Sequence, residues 1–153
     1  MKLDRTFSYR VHRLHKLSDI ASQRAYETEL NLTLGEGRCL AAIGAFADDA
    51  GQMSVNDLAR RANLDKSQAS RSAQALIDLG LVLKKNRPDD LRSVCLALTR
   101  QGVKTYQQSL LLIERRNQEI FGVLSDQQRL ALSDAFDVLL RAHASEALEG
   151  AVA

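Results

Sequence analysis

The chain has 153 residues, 45% of them hydrophobic and 26% charged, with eight glycines and one proline, which fits one soluble folded domain and excludes a disordered or collagen-like chain. Two cysteines, Cys39 and Cys95, exclude a disulfide scaffold, no apolar run approaches the roughly 20 residues of a membrane span, and Met1–Arg5 lacks the apolar centre of a signal peptide, so a reduced, cytoplasmic chain with no membrane partner is expected. Net charge is only +2, but residues 54–92 hold eight basic and five acidic side chains (+3), whereas residues 99–153 hold six and seven (−1).

Helix starts are the strongest local signal. A helix leaves its first N–H groups unpaired; an N-cap oxygen accepts from one, and an acid or amide three residues on reciprocates. Thr33–Glu36, Ser54–Asp57, Asp65–Gln68 and Ser125–Gln128 all fit this pattern, the middle two in looser form, and each precedes an apolar-periodic run. In chain order, residues 7–30 read as a long helix with Phe7, Val11, Leu14, Ser18, Ala21 and Ala25 on one stripe. Residues 34–46 form a second helix, apolar at Leu34, Leu40, Ala41, Ile43 and Ala45, followed by a loop over 47–52. Residues 55–62 make a short third helix, with Leu58, Ala59 and Ala62 inward. Asn63-Leu64 connects it tightly to a fourth helix over 66–79, with Ala69, Ala73, Leu76 and Ile77 inward and Gly80 closing it. The period then changes: 81–85 and 93–98 read as strands joined by a tip over 86–92 that holds Pro88. Helical periodicity returns over 100–121 and 126–148.

Short helix, tight turn, helix and two-stranded hairpin is the order of a winged helix-turn-helix. The expected fold is mainly α with a small β-hairpin wing: a winged helix-turn-helix lobe over 32–99, flanked by N- and C-terminal dimerisation helices over 1–31 and 100–153. In such a lobe the second helix of the pair can enter a major groove of double-stranded DNA, and the hairpin can reach the neighbouring minor groove. Lys66, Ser67, Gln68, Ser70 and Arg71 lie in the first two turns of that helix, where arginine can pair with guanine and glutamine with adenine. At the hairpin tip, Arg87 and Arg92 are cations, and Arg92 suits a narrow minor groove. Asp90 is repelled by phosphate, so its role is to orient Arg92 or a neighbour.

Leu32-Thr33-Leu34, Leu58-Ala59, Ser70-Arg71, Leu79-Gly80-Leu81-Val82, Asp90-x-Arg92 and Leu98-Thr99-Arg100-Gln101-Gly102 together resemble the MarR family of bacterial transcription regulators. The resemblance implies a homodimer with one winged-helix lobe per subunit. It also implies Arg92 as the minor-groove arginine and Ser70 and Arg71 as recognition-helix contacts. Leu91 departs from the basic or polar residue of many relatives. A homodimer also follows from the apolar stripes of the terminal helices, which one small lobe cannot cover and a second copy can.

The resemblance further implies a response to small aromatic acids or phenols, to oxidants, or to metals. No cysteine lies in residues 1–38, Cys39 reads as core and Cys95 as a wing-strand residue, which disfavours an oxidant sensor. His12 and His15 are three apart, but the helix wheel puts His12 off the apolar stripe; no metal and no cofactor is expected. Arg10 and His15 flank the stripe, with Ser18 and Ser22 close by, which suits a small aromatic anion as effector. No catalytic template is present, so an enzyme is not expected. The reading is a ligand-responsive repressor bound to a near-palindromic operator. The alternative is a winged-helix protein-interaction module, against which Arg71, Arg87 and Arg92 weigh.

Overall fold

The computed structural model describes residues 2–47, 52–87 and 90–149; for residues 87, 90–93 and 144–149 it describes the backbone only. A short 3-10 turn over Leu3–Arg5 precedes α1 (Phe7–Leu30), α2 (Leu34–Phe46), α3 (Val55–Ala62), α4 (Lys66–Asp78), β1 (Val82–Arg87), β2 (Asp90–Leu98), α5 (Arg100–Phe121) and α6 (Asp126–Glu149). Residues up to Glu114 form one compact unit and residues from Arg115 a second. No helix among the described residues is long and apolar enough to cross a membrane.

All four expected caps are present. Thr33 Oγ1 accepts from Glu36 N–H (3.2 Å) and Glu36 Oε2 from Thr33 N–H (2.8 Å). Asp65 Oδ1 accepts from Gln68 N–H (2.7 Å), Ser54 Oγ from Asp57 N–H (3.1 Å) and Ser125 Oγ from Gln128 N–H (3.3 Å). Each cap stabilises its helix by about 1 kcal/mol and fixes where the helix begins. Asn31 and Asn63 end α1 and α3 in the left-handed region, both with φ of 53°. Asparagine tolerates that conformation better than a branched residue, which makes the α3–α4 turn short.

The core of the first unit is built by α2, α3, α4 and the hairpin around Leu32, Leu40, Ile43, Leu58, Leu76, Val82 and Leu96, all fully buried. Tyr26 is the buried residue of α1; its ring lies on Gly37, where a Cβ would come within 2.2 Å of a ring carbon. The antiparallel hairpin pairs Val82 with Leu98 and Lys85 with Cys95, and its register breaks between Asn86 and Arg87. Met53 adds a bridge on the other side of β2: its N–H donates to Leu96 O (2.9 Å) and its carbonyl accepts from Leu96 N–H (2.8 Å). One bridging residue carries no two-residue period, so the sequence shows 47–52 only as loop and gives no sign of this contact.

Several boundaries and faces differ from expectation. β1 is Val82–Arg87 rather than 81–85, and β2 begins at Asp90 rather than 93, because ladder pairing carries both strands into the polar stretch read as a tip. α4 ends at Asp78, with Gly80 just beyond it at φ 71°. Ala45 is exposed rather than inward. On α1, Phe7, Val11 and Leu14 are 85%, 60% and 52% exposed, so this half of the stripe is not part of the core of the first unit. Within α6, Leu130, Leu139 and Leu140 are likewise exposed.

The hairpin hands over to α5 through a tight junction. Thr99 Oγ1 donates to Gly80 O (2.7 Å) and accepts from Gly102 N–H (2.9 Å). A Cβ on Gly102 would stand 1.9 Å from Leu81 O, a backbone atom that cannot swing aside. Gly102→Ala is therefore expected to lower stability by about 3 kcal/mol, at the upper end of overpacking costs, as read by urea denaturation of the two chains.

Candidate nucleic-acid interface

α4 divides cleanly between an inner and an outer face. Ala69, Ala73 and Leu76 are buried, and Lys66, Ser67, Gln68, Ser70 and Arg71 are all exposed. With 69, 73 and 76 facing the core, the 3.6-residue period turns Ser67 and Arg71 to the opposite side and puts Gln68 and Ser70 on the flanks, while Lys66, on the core side by phase, is exposed at the first position of the helix. All five expected contact residues are thus exposed in the first two turns.

Two of them are already oriented. Arg71 Nη1 donates to Ser67 Oγ (2.8 Å), which lays the guanidinium along the helix. Gln68 turns its Oε1 back to Asp65 N–H (3.4 Å) as the reciprocal arm of the cap, so its amide group is the part that faces outward chemistry. The hairpin is strapped to α4 by a residue the sequence reading missed. Lys84 Nζ donates to Gln74 Oε1 (3.1 Å), and Gln74 Nε2 donates to Asp78 Oδ1 (2.8 Å). The Gln74–Asp78 step has helical i, i+4 spacing and was legible; Lys84 is ten residues away and was not. The side chains of Arg87, Asp90 and Arg92 lie outside the described residues. On α3, Arg60 pairs with Asp57, and Arg61 stands 4.9 Å over the Phe46 ring.

The polar positions of α1 are brought into a different arrangement from the one expected. Arg10 is exposed, and Ser18 and Ser22 are half-buried. His15 Nε2 lies 3.4 Å from Asp19 Oδ2, and Asp19 Oδ1 accepts from Arg38 Nη2 (2.6 Å). Asp19 and Arg38 were both missed. The i, i+4 spacing of His15 and Asp19 was a usable signal; nothing local points from Asp19 to Arg38. This ion pair and the bond from Leu34 N–H to Gln23 Oε1 (2.8 Å) tie α1 to α2.

Cys39 and Cys95 are free and buried. Burial pushes the Cys39 thiol up to about 11, against the smaller opposing effect of its hydrogen bond with Ser72. Cys95 Sγ lies 3.2 Å from Gln52 Oε1. Among the described residues, no group of three or more His, Cys, Asp or Glu side chains could hold a metal ion.

Residues 30–93 match the model of a family described as the MarR family. An uncharacterized HTH-type transcriptional regulator of Bacillus subtilis, YdgJ, is 29% identical over 85 residues, 56% of this chain and 52% of its own length. The match thus spans about half of that curated relative. Among solved structures, Bordetella bronchiseptica BpsR, described with regulation of its DNA binding by 6-hydroxynicotinic acid, superposes with a TM-score of 0.78 at 19% identity, covering 91% of this chain and 96% of that one. Rhodococcus jostii CouR bound to p-coumaroyl-CoA gives 0.78 at 18%, covering 92% and 93%. At these identities the two structures establish a shared fold.

With its pKa near 11 and no exposed surface, Cys39 stays a neutral thiol at pH 8. In a Cys95→Ser background, Cys39 is expected to resist iodoacetamide at pH 8 and to react at the rate of global unfolding. Labelling as fast as in urea would overturn its placement in the core.

Proposed function

We propose that this chain, a member of the MarR family through its residues 30–93, is a homodimeric DNA-binding transcriptional regulator acting as a ligand-responsive repressor on a near-palindromic operator. The observation that carries the reading is the outer face of α4. Five polar or cationic side chains stand exposed on the two turns that follow a capped N-terminus, and the buried stripe of Ala69, Ala73 and Leu76 turns Ser67 and Arg71 directly away from the core. In this reading Arg71, Ser70, Ser67 and Lys66 meet base edges and phosphates in the major groove, with Gln68 contributing its amide N–H groups. Arg92 and Arg87 reach the minor groove and the adjacent backbone from the wing, and Asp90 holds Arg92 in position. Family membership speaks for a regulator and not for an enzyme.

Dimerisation is supported by the uncovered apolar residues of α1 and α6, such as Phe7, Val11, Leu14, Leu139 and Leu140. A second copy removes them from water, at about 25 cal/mol per Å² of apolar surface buried. Two α4 helices then present themselves to half-sites about one helical turn apart. The effector in this reading is a small aromatic acid or phenol beside α1, with Arg10, His15, Ser18 and Ser22 as polar contacts. BpsR and CouR, whose ligands carry an aromatic ring, support that class. Asp19 already engages His15 and Arg38, so Arg10 supplies the charge that meets the ligand carboxylate.

Fluorescence anisotropy with DNA flanking the protein's own gene, at two salt concentrations, tests the regulator. The wild type is expected to bind that DNA above random DNA, with affinity falling steeply as salt rises. Arg71→Ala is expected to cost about 1–3 kcal/mol and to relax sequence preference, and Arg92→Ala to reduce the salt slope by about one. Equal binding to random DNA would instead favour the winged-helix protein-interaction module. Separately, Leu14→Asp is expected to convert a dimer to monomer in sedimentation velocity, because it puts a charge in the apolar interface; an unchanged sedimentation coefficient would exclude α1 from that interface.

A further inference from the structure

The outer stripe of α4 continues past Arg71. Ser67, Arg71, Gln74 and Asp78 stand at i, i+4, i+7 and i+11, so all four lie on the side of the helix opposite Ala69, Ala73 and Leu76, and all are exposed. Arg71 bonds Ser67 at one end of the stripe, and Gln74 Nε2 donates to Asp78 Oδ1 (2.8 Å) at the other. Gln74 Oε1 accepts from Lys84 Nζ (3.1 Å) on β1. A carboxamide has an acceptor at one end and donors at the other, so Gln74 meets a cation and an anion at once. Both bonds are charge-assisted, and the amide dipole lies between the two charges.

Lys84 sits at a mechanically special point of the wing. It pairs across the hairpin with Leu96, whose N–H and carbonyl both bond Met53 on the other side of β2. One rung is therefore gripped twice, from α4 through the Lys84 side chain and from the root of α3 through the Leu96 backbone. Two further pairs, Lys85 with Cys95 and Asn86 with Val94, carry the ladder from this rung to the register break before Arg87. A strand rises about 3.3 Å per residue, so a small rotation at the rung grows into a larger displacement at the tip. Exposed bonds of this kind add little net stability. What the strap governs is an angle.

We propose that Gln74 is a positioning residue: through Lys84 it sets the angle between the wing and α4, and with it the span between Arg71 in the major groove and Arg92 in the minor groove. Both ends of its carboxamide are engaged within the chain, so its part is to hold and not to read. Two contact elements held at a fixed angle bind as one, whereas a loosened wing must be ordered at each binding event, which weakens binding. The consequence for DNA rests on the regulator reading; the hold on the wing does not.

The test has two arms. In the DNA-free protein, amide residual dipolar couplings of Lys85, Asn86 and Val94 are measured against those of α4. They are expected to shrink towards averaged values in Gln74→Met, and again in Lys84→Met, with the α4 couplings and the urea midpoint unchanged. Wing couplings that stay at wild-type values in both variants would overturn the proposal. In the second arm, with the DNA flanking the protein's own gene, Gln74→Met is expected to weaken binding about five- to tenfold, but by less than about twofold when added to Arg92→Ala. Gln74→Glu combined with Asp78→Asn exchanges the two groups at constant charge and keeps an acceptor for Lys84; it is expected to restore binding to within about twofold of wild type. A full loss in the Arg92→Ala background, or no rescue by the exchange, would overturn the positioning role. Wild-type binding no better than to random DNA, with wing couplings still averaged in Gln74→Met, would overturn the regulator reading and keep the hold on the wing.

Discussion

Burial of Ala69, Ala73 and Leu76 on one side of α4 governs the geometry of the whole lobe. Two of the three are alanines, so α4 can lie close to α2 and α3. That closeness is visible where a Cβ on Gly35 would stand 3.1 Å from Ser72 Oγ. Once this face is committed, the helix has no rotational freedom left, and the core turns the Cα–Cβ directions of Ser67 and Arg71 away from itself, with Ser70 at the flank. The cap at Asp65 fixes the remaining variable, the residue at which the helix starts. The exposed side of α4 is thus set by residues that never meet solvent.

Much of this was legible in the sequence, and for local reasons. Caps, helix periods and the change of period at the hairpin act over three or four residues, so Thr33, Ser54, Asp65 and Ser125 located four helix starts correctly. The strand ends were misplaced because Asn86, Arg87 and Asp90 are polar residues held in strand by their partners, not by their own preference. Pairings across long sequence separations were invisible for the same reason. Asp19 with Arg38, Lys84 with Gln74, and Met53 with Leu96 each depend on where the chain returns in space. The exposed half of the α1 stripe is a different case. Periodicity says that a face is apolar and says nothing of what covers it, and Phe7, Val11 and Leu14 lie outside the core of the first unit.

Asp19 ties several of these features together. A single carboxylate accepts from Arg38 and stands beside His15, joining the long first helix to the helix on which α4 packs. Buried pairs of this kind add little net stability but cost several kcal/mol when one partner is removed; this one is about one-third exposed, so solvent screens both effects. Its weight is therefore in orientation: it sets where the Arg38 guanidinium points.

The bridge between Met53 and Leu96 has a mechanical consequence. Two hydrogen bonds, of 2.9 and 2.8 Å, join the middle of β2 to the residue just before the Ser54 cap of α3. The hairpin is consequently not a free paddle at the edge of the lobe. A load applied to its outer end is shared between β1, which is strapped to α4 through Lys84, and the root of α3. The wing and the two helices beside it behave as a braced lever, in which bending one arm stresses the other two.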